Sequence, residues 1–483
     1  MNSQETELTP GNVNVVSFGR LAAVPLQGSS FAQPLYISNV TMGDQKAHNL
    51  VIVATEHDQV YAIDADSYQV MWQRSLLDSQ GLITPIPTDD VNCIAVGNEI
   101  GITGTPVIDP SSETVYLVAA TKDMHSDPPQ YLNELYALHL TDGQNSVDPT
   151  PITSPTGSQY GTARFDPLLN LQRSALLLVN GNVYVAWASH CDNGSYTGWL
   201  MSFNASTLQL AAAWTPDPSG WFGGIWMAGG GPSADNSGNI FMAVGNGWSD
   251  PSSGGTNYGD SVVRLNATGD HIAVADYFMP YNYEQLFDED LDLGSGTPLI
   301  IPTQAGATHP DLLVTGGKGA TIYVLDRSNL GQWHSNNDSQ VIQSFSLNNT
   351  GIFNIPVFWN NTLYYGLAGL QIMALPYDPD SQTFNPTASS MSPTAMPWAG
   401  VAPTLSANGN NDAILWAIET PVGNSILHAY DATNLSNELY NSEMSSDRDH
   451  AGGSVRFSTA TVANGEVFVG TQSELDIYGL LPH

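Results

Sequence analysis

VIVATEHDQVYAIDADSYQVMW, residues 51–72, contains three short strand patterns separated by polar turns. Residues 51–55 are rich in β-branched side chains, residues 59–64 alternate in polarity, and residues 69–72 follow the turn Asp66-Ser-Tyr. Alternation with a period of two residues is typical of strands. The stretch therefore predicts three consecutive strands joined by tight turns.

The core of this unit, apolar-x-apolar-Asp/Asn-Ala, recurs down the chain. The eight copies begin at Tyr61, Leu135, Met201, Val263, Ile322, Met373, Leu427 and Leu475. They are spaced roughly 50 to 75 residues apart, within the range for four-stranded blades with variable loops. One blade cannot bury both of its faces alone, so blades stack radially. The sequence predicts an all-β, eight-bladed β-propeller of four-stranded antiparallel blades.

The propeller is predicted to be one domain spanning residues 12–483, preceded by a disordered polar tip at residues 1–11. The last repeat, residues 457–481, supplies only three strands, and an open blade would leave an unpaired edge. We expect the strand-like run at residues 13–23 to complete it and close the ring. Residues 76–98 and the low-complexity run PTASSMSPTAMP, residues 386–397, are predicted to be loops.

The charge balance is unusual, because 46 acidic residues face only 11 Lys plus Arg and give a net charge of −35. Charged residues amount to 12% of the chain, about half the usual share. This charge balance argues against nucleic acid and anionic membranes as partners, since binding to either requires a basic patch. A surface solvated by neutral polar groups keeps its character at low pH. The composition favours a secreted protein of an acidic environment, and its low charge density there leaves self-association open.

No apolar run approaches the length of a membrane span. The N-terminus, MNSQETELTP, has no signal-peptide core, so an exported protein would have lost its leader, and an intracellular protein stays an alternative. The two cysteines, Cys93 and Cys191, are expected to form one disulfide after export. Glycosylation sequons begin at Asn39, Asn193, Asn204, Asn266, Asn337, Asn348, Asn360 and Asn434.

Four of the eleven basic residues are predicted to lie near one mouth of the propeller channel. Lys122 and Lys318 fall in loops between second and third strands, whereas Arg173 and Arg456 fall in segments that enter inner strands. Loops of these two kinds converge at one mouth, where several blades meet. The cluster can bind an anionic ligand or a polarised carbonyl. The alternative is structural, in which the cations neutralise buried aspartates around a water-filled channel.

Two histidines lie in tight loops beside a carboxylate, namely His57 next to Asp58 and His190 next to Asp192. A carboxylate can hold an imidazole in the tautomer that a general base needs. The alternative role is stabilisation of the loop. No pair of histidines has zinc spacing. The acidic runs at residues 288–292 and 250–260 can either bind Ca²⁺ or be solvated loops.

Six segments resemble the repeats of a known family. They are AQPLYISNV (32–40), VIVATEHDQVYAIDAD (51–66), EIGITGTPVIDP (99–110), GNIFMAVGNG (238–247), ATIYVLDR (320–327) and VANGEVFVGTQSELDIYGLLP (462–482). The chain is similar along nearly its whole length to the pyrroloquinoline-quinone-type propellers, the quinoprotein alcohol dehydrogenase-like proteins. That fold also carries proteins that are not enzymes.

The resemblance implies that a flat tricarboxylate quinone and Ca²⁺ bind at the channel mouth. The implied roles are stacking for Trp226, binding of the quinone carboxylates for Arg173, Lys318 and Arg456, and action as the general base or as a Ca²⁺ ligand for Asp292. Loop position adds further candidates: Lys122 for cofactor binding, His190 for catalysis, and Glu56 and Asp58 beside Asp292 as metal ligands.

Two functions stay open from the sequence. One is a dehydrogenase that uses pyrroloquinoline quinone and Ca²⁺ to oxidise an alcohol or a sugar. The other is a non-catalytic extracellular propeller that binds a small molecule or carbohydrate, acts as a scaffold, or self-assembles. A polysaccharide lyase is a more distant alternative, based on His and Arg at the channel mouth.

Overall fold

Eight antiparallel sheets form the blades of a β-propeller in a computed structural model that describes residues 1–94, 97–347 and 351–482. The predicted fold is therefore confirmed. The sequon at Asn348 lies outside the described residues. None of the described helices is long and apolar enough to cross a membrane.

The blades are numbered in chain order, and each is given from its inner to its outer strand. Blade one contains Leu35–Thr41, Ala47–Ala54, Gln59–Asp64 and Val70–Ser75, and blade two contains Val107–Asp109, Thr114–Asp123, Gln130–His139 and Thr150–Pro151. Blade three contains Leu177–Val179, Asn182–Ser189, Trp199–Asn204 and Leu210–Trp214, and blade four contains Ser233–Ala234, Ile240–Ala243, Val262–Thr268 and His271–Phe278.

Blade five contains Leu299–Ile300, Leu312–Gly316, Thr321–Asp326 and Gln343–Ser346, and blade six contains Val357–Trp359, Thr362–Gly366, Gln371–Asp378 and Ser390–Ala395. Blade seven contains Thr404–Asn408, Asn411–Glu419, Ile426–Asp431 and Glu438–Asn441, and blade eight contains Thr461–Ala463, Glu466–Gly470, Glu474–Leu480 and Phe18–Pro25. Further short strands are Ile83–Pro87, Glu99–Ile100, Asn170–Leu171 and Thr383–Phe384. The helices are Thr88–Val91, Tyr283–Asp288 and Ser446–Asp449, with 3-10 turns at Ser158–Tyr160, Pro251–Ser253 and Leu293–Ser295.

Successive side chains of a strand point to opposite faces of the blade, so they pack alternately against the two adjacent blades. In the second strand of blade one, Leu50 and Ile52 pack against blade two, whereas Val51 and Val53 pack against blade eight. All residues of the third strand, Gln59–Asp64, are buried. Both faces of a blade are thus covered, which removes apolar surface from water on both sides.

The N-terminal strand closes the ring as predicted. Phe18–Pro25 pairs antiparallel with Glu474–Leu480 and forms the outer strand of blade eight. The ring of Phe18 lies 5.0 Å from that of Tyr440 and 5.6 Å from that of Trp416, both in blade seven. The closure therefore ties together the first strand, the last strand and the preceding blade.

The disorder expected for residues 1–11 is not observed, because the segment extends blade seven. The N–H groups of Asn2 and Glu5 donate to the carbonyls of Leu405 (2.8 Å) and Ala407 (3.0 Å). Leu8 is fully buried in the apolar cluster between blades seven and eight. The polar sequence does not predict this attachment, because most of it consists of backbone hydrogen bonds rather than contacts of apolar side chains.

Two predicted loops contain strands. Ser390–Ala395, within the low-complexity run, is the outer strand of blade six, and Pro393 is tolerated there because an outer edge needs no further partner. In residues 76–98, Ile83–Pro87 pairs with the second strand of blade two beyond the reach of its short inner strand. The short helix Thr88–Val91 follows it directly.

Candidate functional site

A cavity of about 220 Å³ lies at the mouth where the loops between second and third strands meet the segments that enter inner strands. Its lining comes from blades three to eight and consists of Leu171, Arg173, Asp192, Trp226, Ala228, Asp292, Ser295, Lys318, Phe353, Trp398 and Phe457. Four of these side chains are aromatic, and four are charged. The structure thus places Arg173, Trp226, Asp292 and Lys318 around one space.

Small residues let Trp226 and Asp292 approach each other. A Cβ atom on Gly245 would lie 2.7 Å from Asp292 Oδ1 and 3.0 Å from Trp226 Cδ1. A Cβ atom on Gly224 would lie 2.7 Å from the indole Nε1 of Trp226. Such contacts are too short for a side chain, so the glycine-rich loops of blade four are needed to hold the indole beside the carboxylate.

Lys318 and Asp292 form the charged centre of the cavity. Lys318 Nζ contacts Asp292 Oδ2 and lies 2.8 Å from Asp290 Oδ1. The N–H of Asn246 donates to Asp292 Oδ1 at 2.6 Å. Burial raises the pKa of Asp292, although the neighbouring lysine and the Asn246 hydrogen bond oppose the rise. Burial also opposes the charge of Lys318, but its two carboxylate partners outweigh burial and raise its pKa.

A second buried carboxyl, Asp260, lies next to this pair. Its Oδ1 accepts a hydrogen bond from the N–H of Leu293 at 3.0 Å, and its Oδ2 is buried without a protein partner. Burial and the neighbouring Asp292 raise the pKa of Asp260 well above its usual range. Asn246 Oδ1 is likewise buried without a partner. Neither Asp260 nor Asn246 was a predicted site residue, although Asp260 ends one of the two acidic runs.

Arg173 faces the cavity from the segment that enters blade three. Its guanidinium lies over the ring of Phe457 at 5.0 Å, and its Nη2 is buried without a hydrogen-bond partner. Burial lowers the pKa of Arg173 to about 10, while the carboxyl of Glu56 opposes that change. The guanidinium is thus charged at neutral pH and has an unused donor.

Glu56 and Asp58 lie in the junction of blades one and two and do not join Asp292. Glu56 Oε2 accepts hydrogen bonds from Gly101 N (2.8 Å) and Thr103 Oγ1 (2.9 Å), and burial raises the pKa of Glu56 to about 8. Both carboxyl oxygens of Asp58 are buried without a partner. Within residues 1–94, 97–347 and 351–482, no three His, Cys, Asp or Glu side chains form a group that could hold a metal ion.

The other two predicted cations lie away from the cavity centre. Arg456 is exposed and lies over the ring of Trp398 at 5.3 Å, at the rim. Lys122 does not line the cavity, because its Nζ pairs with Asp90 Oδ2 at 2.6 Å in the segment that follows strand Ile83–Pro87. The predicted cluster of four cations is therefore two cations in the cavity, one at its edge and one outside.

The histidines do not pair with the carboxylates beside them in sequence. His57 Nδ1 lies 3.0 Å from Glu99 Oε2, whereas Asp192 accepts from the Tyr196 hydroxyl at 2.6 Å. His190 Nδ1 is buried without a partner, and burial lowers the pKa of His190 to about 4. Cys191 and Asp192 both have positive φ angles, so this loop has a backbone conformation that residues other than glycine rarely adopt.

The predicted disulfide between Cys93 and Cys191 is present. It joins the segment before blade two to the loop of blade three that carries Asp192. Cys93 belongs to an apolar cluster with Ile86, Val91, Ile100 and Phe31, and the indole of Trp226 packs against this cluster. The disulfide thus fixes one wall of the cavity.

Below the cavity the axial channel narrows. A neck with a volume of about 10 Å³ is lined by polar and glycine residues that include Gln33, Thr105, Gly230 and Thr459. That volume holds about one water molecule. The channel widens to about 360 Å³ at the opposite mouth, where Leu299, Ile300, Ile355 and Val357 give it an apolar lining. A ligand at the first mouth would rest above the neck.

No protein-family model matches the chain, and no curated protein matches it by sequence. Solved structures with a similar fold include the quinohemoprotein alcohol dehydrogenase from Comamonas testosteroni, with a TM-score of 0.63 and 16% identity over 99% of this chain and 78% of that one. The quinohemoprotein alcohol dehydrogenase ADHIIG from Pseudomonas putida HK5 has a TM-score of 0.59 and 13% identity, with the same coverage. BamB from Moraxella catarrhalis has a TM-score of 0.51 and 10% identity, over 96% of this chain and 99% of that one. At these identities the likeness shows the fold.

Proposed function

We propose that the protein is a secreted oxidoreductase that binds a quinone of the pyrroloquinoline-quinone type at the channel mouth and oxidises an alcohol or a sugar. The observation that carries this proposal is the cavity in which Trp226, Arg173, Lys318 and Asp292 converge. The similarity of the fold to two quinohemoprotein alcohol dehydrogenases supports it.

The cavity suits a flat, anionic ring system. Trp226, Phe353, Trp398 and Phe457 provide aromatic walls, and aromatic faces attract planar rings. The buried Nη2 of Arg173 has no protein partner, and a ligand carboxylate would satisfy it with a charge-assisted hydrogen bond. Lys318 supplies a second cation, although Asp290 and Asp292 already contact it.

Asp292 and Asn246 are the residues that would hold Ca²⁺. Asp292 offers carboxylate oxygens, and the neighbouring Asn246 Oδ1 is buried without a partner. Ca²⁺ prefers such oxygen ligands and completes its shell with backbone carbonyls, water or substrate. Asp292 is retained as a candidate ligand or base, whereas Glu56 and Asp58 do not form a metal-binding group with it in the part of the chain that the structure describes.

The residues of the chain would bind and orient the substrate and would accept a proton from it. The bound quinone would supply the two-electron oxidant. Asp292 would accept the proton of the substrate hydroxyl at a carboxylate oxygen, and the Asn246 N–H fixes that carboxylate in place. Lys318 favours the ionised form of Asp292, which a base needs, against the opposite effect of burial. The aromatic walls would exclude water from the reacting hydroxyl.

Secretion into an acidic environment belongs to the same proposal. A disulfide with no free cysteine and the sequons support an exported protein. The shortage of cations over the whole chain supports a working pH at which many carboxylates are neutral.

The test is titration of the purified protein with pyrroloquinoline quinone and Ca²⁺, followed by absorbance and by dye reduction with a panel of alcohols and sugars. We expect saturable binding and substrate-dependent reduction. Arg173→Met should weaken quinone binding at least about tenfold, because a charged contact is lost. Asp292→Asn should abolish reduction while leaving quinone binding measurable. Lys122→Met is the matched control, because Lys122 lies outside the cavity.

Absence of quinone binding at high micromolar concentration would contradict the oxidoreductase proposal. The protein would then be a non-catalytic extracellular propeller that binds another ligand, acts as a scaffold or self-assembles. Light scattering at pH 3 and pH 7 would then measure self-association directly.

A further inference from the structure

A groove of about 480 Å³ lies beside the channel mouth, between blades four and five. One wall is the segment after the last strand of blade four, including helix Tyr283–Asp288. The other is the outer half of blade five, including Thr321, Asp338 and Ser344. Lys318 and Leu293 line this side groove, and Lys318 also lines the cavity, so the two spaces are neighbours.

The lining of the side groove is amphipathic. Leu286, Leu291 and Tyr323 give it apolar surface, and Tyr281 adds an exposed aromatic ring. Around them stand the hydrogen-bonding side chains of Asn282, Gln285, Glu289, Asp338 and Ser344. A pyranose ring has the matching form, with apolar C–H faces and hydroxyl groups around its edge.

Anionic and apolar ligands match this lining less well. The one cation in it, Lys318, is already held by Asp290 and Asp292, and Glu289 and Asp338 stand nearby. An anionic ligand would therefore meet repulsion, reinforced by a net charge of −35. An apolar ligand would leave the amide and carboxyl groups without partners. A neutral ligand with many hydroxyl groups satisfies both conditions.

Exposed aromatic side chains are concentrated on the same face. Within the described part of the chain, the exposed aromatics are Trp221, Trp248, Tyr281, Phe287 and Trp398. All five lie in segments entering inner strands or in a loop between second and third strands, which are the segments that surround the cavity and side groove. The opposite face has no comparable set among these residues. Aromatic platforms of this kind provide stacking surfaces for a ligand longer than one ring.

We propose that the side groove binds a neutral oligosaccharide or polysaccharide chain. The chain would stack on Tyr281 and bond with the side chains of Gln285 and Asn282, and one end would reach Lys318 at the edge of the cavity. Binding itself needs no quinone. If the proposed oxidation is also correct, the groove identifies the substrate class as a saccharide rather than a small aliphatic alcohol.

The test is calorimetric titration of the quinone-free protein with neutral hexasaccharides of glucose, mannose, xylose and N-acetylglucosamine, and with hexagalacturonate as an anionic comparison. We expect saturable binding of at least one neutral hexasaccharide in the micromolar to millimolar range and weaker or no binding of hexagalacturonate. Tyr281→Ala should weaken binding about tenfold, and Gln285→Ala about threefold. Asn410→Ala, an exposed amide in a turn on the opposite face, should leave affinity unchanged.

Tyr281 and Gln285 are exposed, so thermal unfolding of both variants should match the wild type and exclude misfolding. The proposal is overturned if no neutral hexasaccharide binds at about 10 mM, or if neither Tyr281→Ala nor Gln285→Ala weakens binding. Preferred binding of hexagalacturonate would also overturn it. Because quinone is absent from this titration, its result is independent of the dye-reduction assay, and failure of one proposal is distinguishable from failure of the other.

Discussion

The junction of blades one and two and the junction of blades four and five share a hydrogen-bond arrangement but differ in the ion pairs of their buried carboxyls. In the first, the N–H of Gly101 donates to Glu56, and in the second the N–H of Leu293 donates to Asp260. Each junction buries a second carboxyl, Asp58 or Asp292. Lys318 forms an ion pair with Asp292 in the second junction, whereas Lys122, near the end of the second strand of blade two, pairs with Asp90 instead.

This difference separates a structural junction from a chemical one. In the first junction burial favours the neutral form of Glu56 and Asp58, and the charge of Arg173 opposes this effect at Glu56. At the other junction Lys318 keeps charge at the cavity wall, beside Trp226. The first junction is instead strengthened by a covalent link, since the segment that carries Asp90 is tied to blade three by Cys93–Cys191.

The largest expected effect is a loss of stability as pH rises. In the folded protein the pKa of Glu56 is about 8, against an ordinary value of 4.5. The contribution of Glu56 to the free energy of unfolding is therefore fully present below about pH 4.5 and is lost as pH rises to 8. The free energy of unfolding should fall by up to about 5 kcal/mol over this range. Thermal unfolding from pH 4 to pH 9 should show the decline, and Glu56→Gln should flatten it. The exposed Glu113→Gln is the control, and an equal slope in wild type and Glu56→Gln would contradict the prediction.

Removal of the disulfide should have the next largest effect. Cys93 and Cys191 are separated by 98 residues, and a cross-link over such a loop restricts the unfolded chain. The double variant Cys93→Ala/Cys191→Ala should lose about 3 kcal/mol of unfolding free energy in denaturant titrations. Wild-type protein with its disulfide reduced is the control, because its unfolding midpoint should equal that of the double variant. A midpoint equal to that of the oxidised wild type would show that the link does not stabilise the fold.

Lys318→Met should lower the free energy of unfolding by about 2 kcal/mol at pH 7. The reason is that the buried carboxyls of Asp260 and Asp292 lose their neighbouring cation. The loss should shrink at pH 3, where those carboxyls are protonated in the unfolded chain as well. Lys122→Met is the matched control and should cost less than about 1 kcal/mol. The two lysines are similarly exposed, but the side chain of Asp90 is 23% exposed and that of Asp292 only 4%. Equal losses in the two variants would remove the distinction between the junctions.

Asp58→Asn should have the opposite sign. The pKa of Asp58 is raised well above its usual value by burial, so an amide imitates the neutral acid. The variant should equal the wild type in stability at pH 3 and exceed it at pH 7. Asp292→Asn is the comparison and should give no gain, since it leaves Lys318 with the exposed Asp290 alone. Chemical denaturation at the two pH values measures both, and a gain in Asp292→Asn alone would reverse the assignment.

Some parts of the site could be predicted from the sequence and others could not. Loop position relative to the repeat was enough to bring Arg173, Trp226, Asp292 and Lys318 to one mouth. The same rule was wrong for Lys122, because this lysine forms an ion pair with Asp90, which lies in a segment outside the repeat. It also failed for the partners of His57 and His190, because loop backbone conformation decides where adjacent side chains point. The side groove depends on an irregular segment and a short helix that no repeat predicts.

The sequence by itself determined the blade count, the strand period, the closure by an N-terminal strand and the disulfide, because each depends on local alternation or on there being only two cysteines. Only the tertiary structure decided which buried acids have a cation, where residues 1–11 and 390–395 attach, and how wide the channel is. Those properties depend on distances between blades far apart in the chain. A contact such as that between Lys318 and Asp292 is set by the packing of whole sheets, which no local pattern encodes.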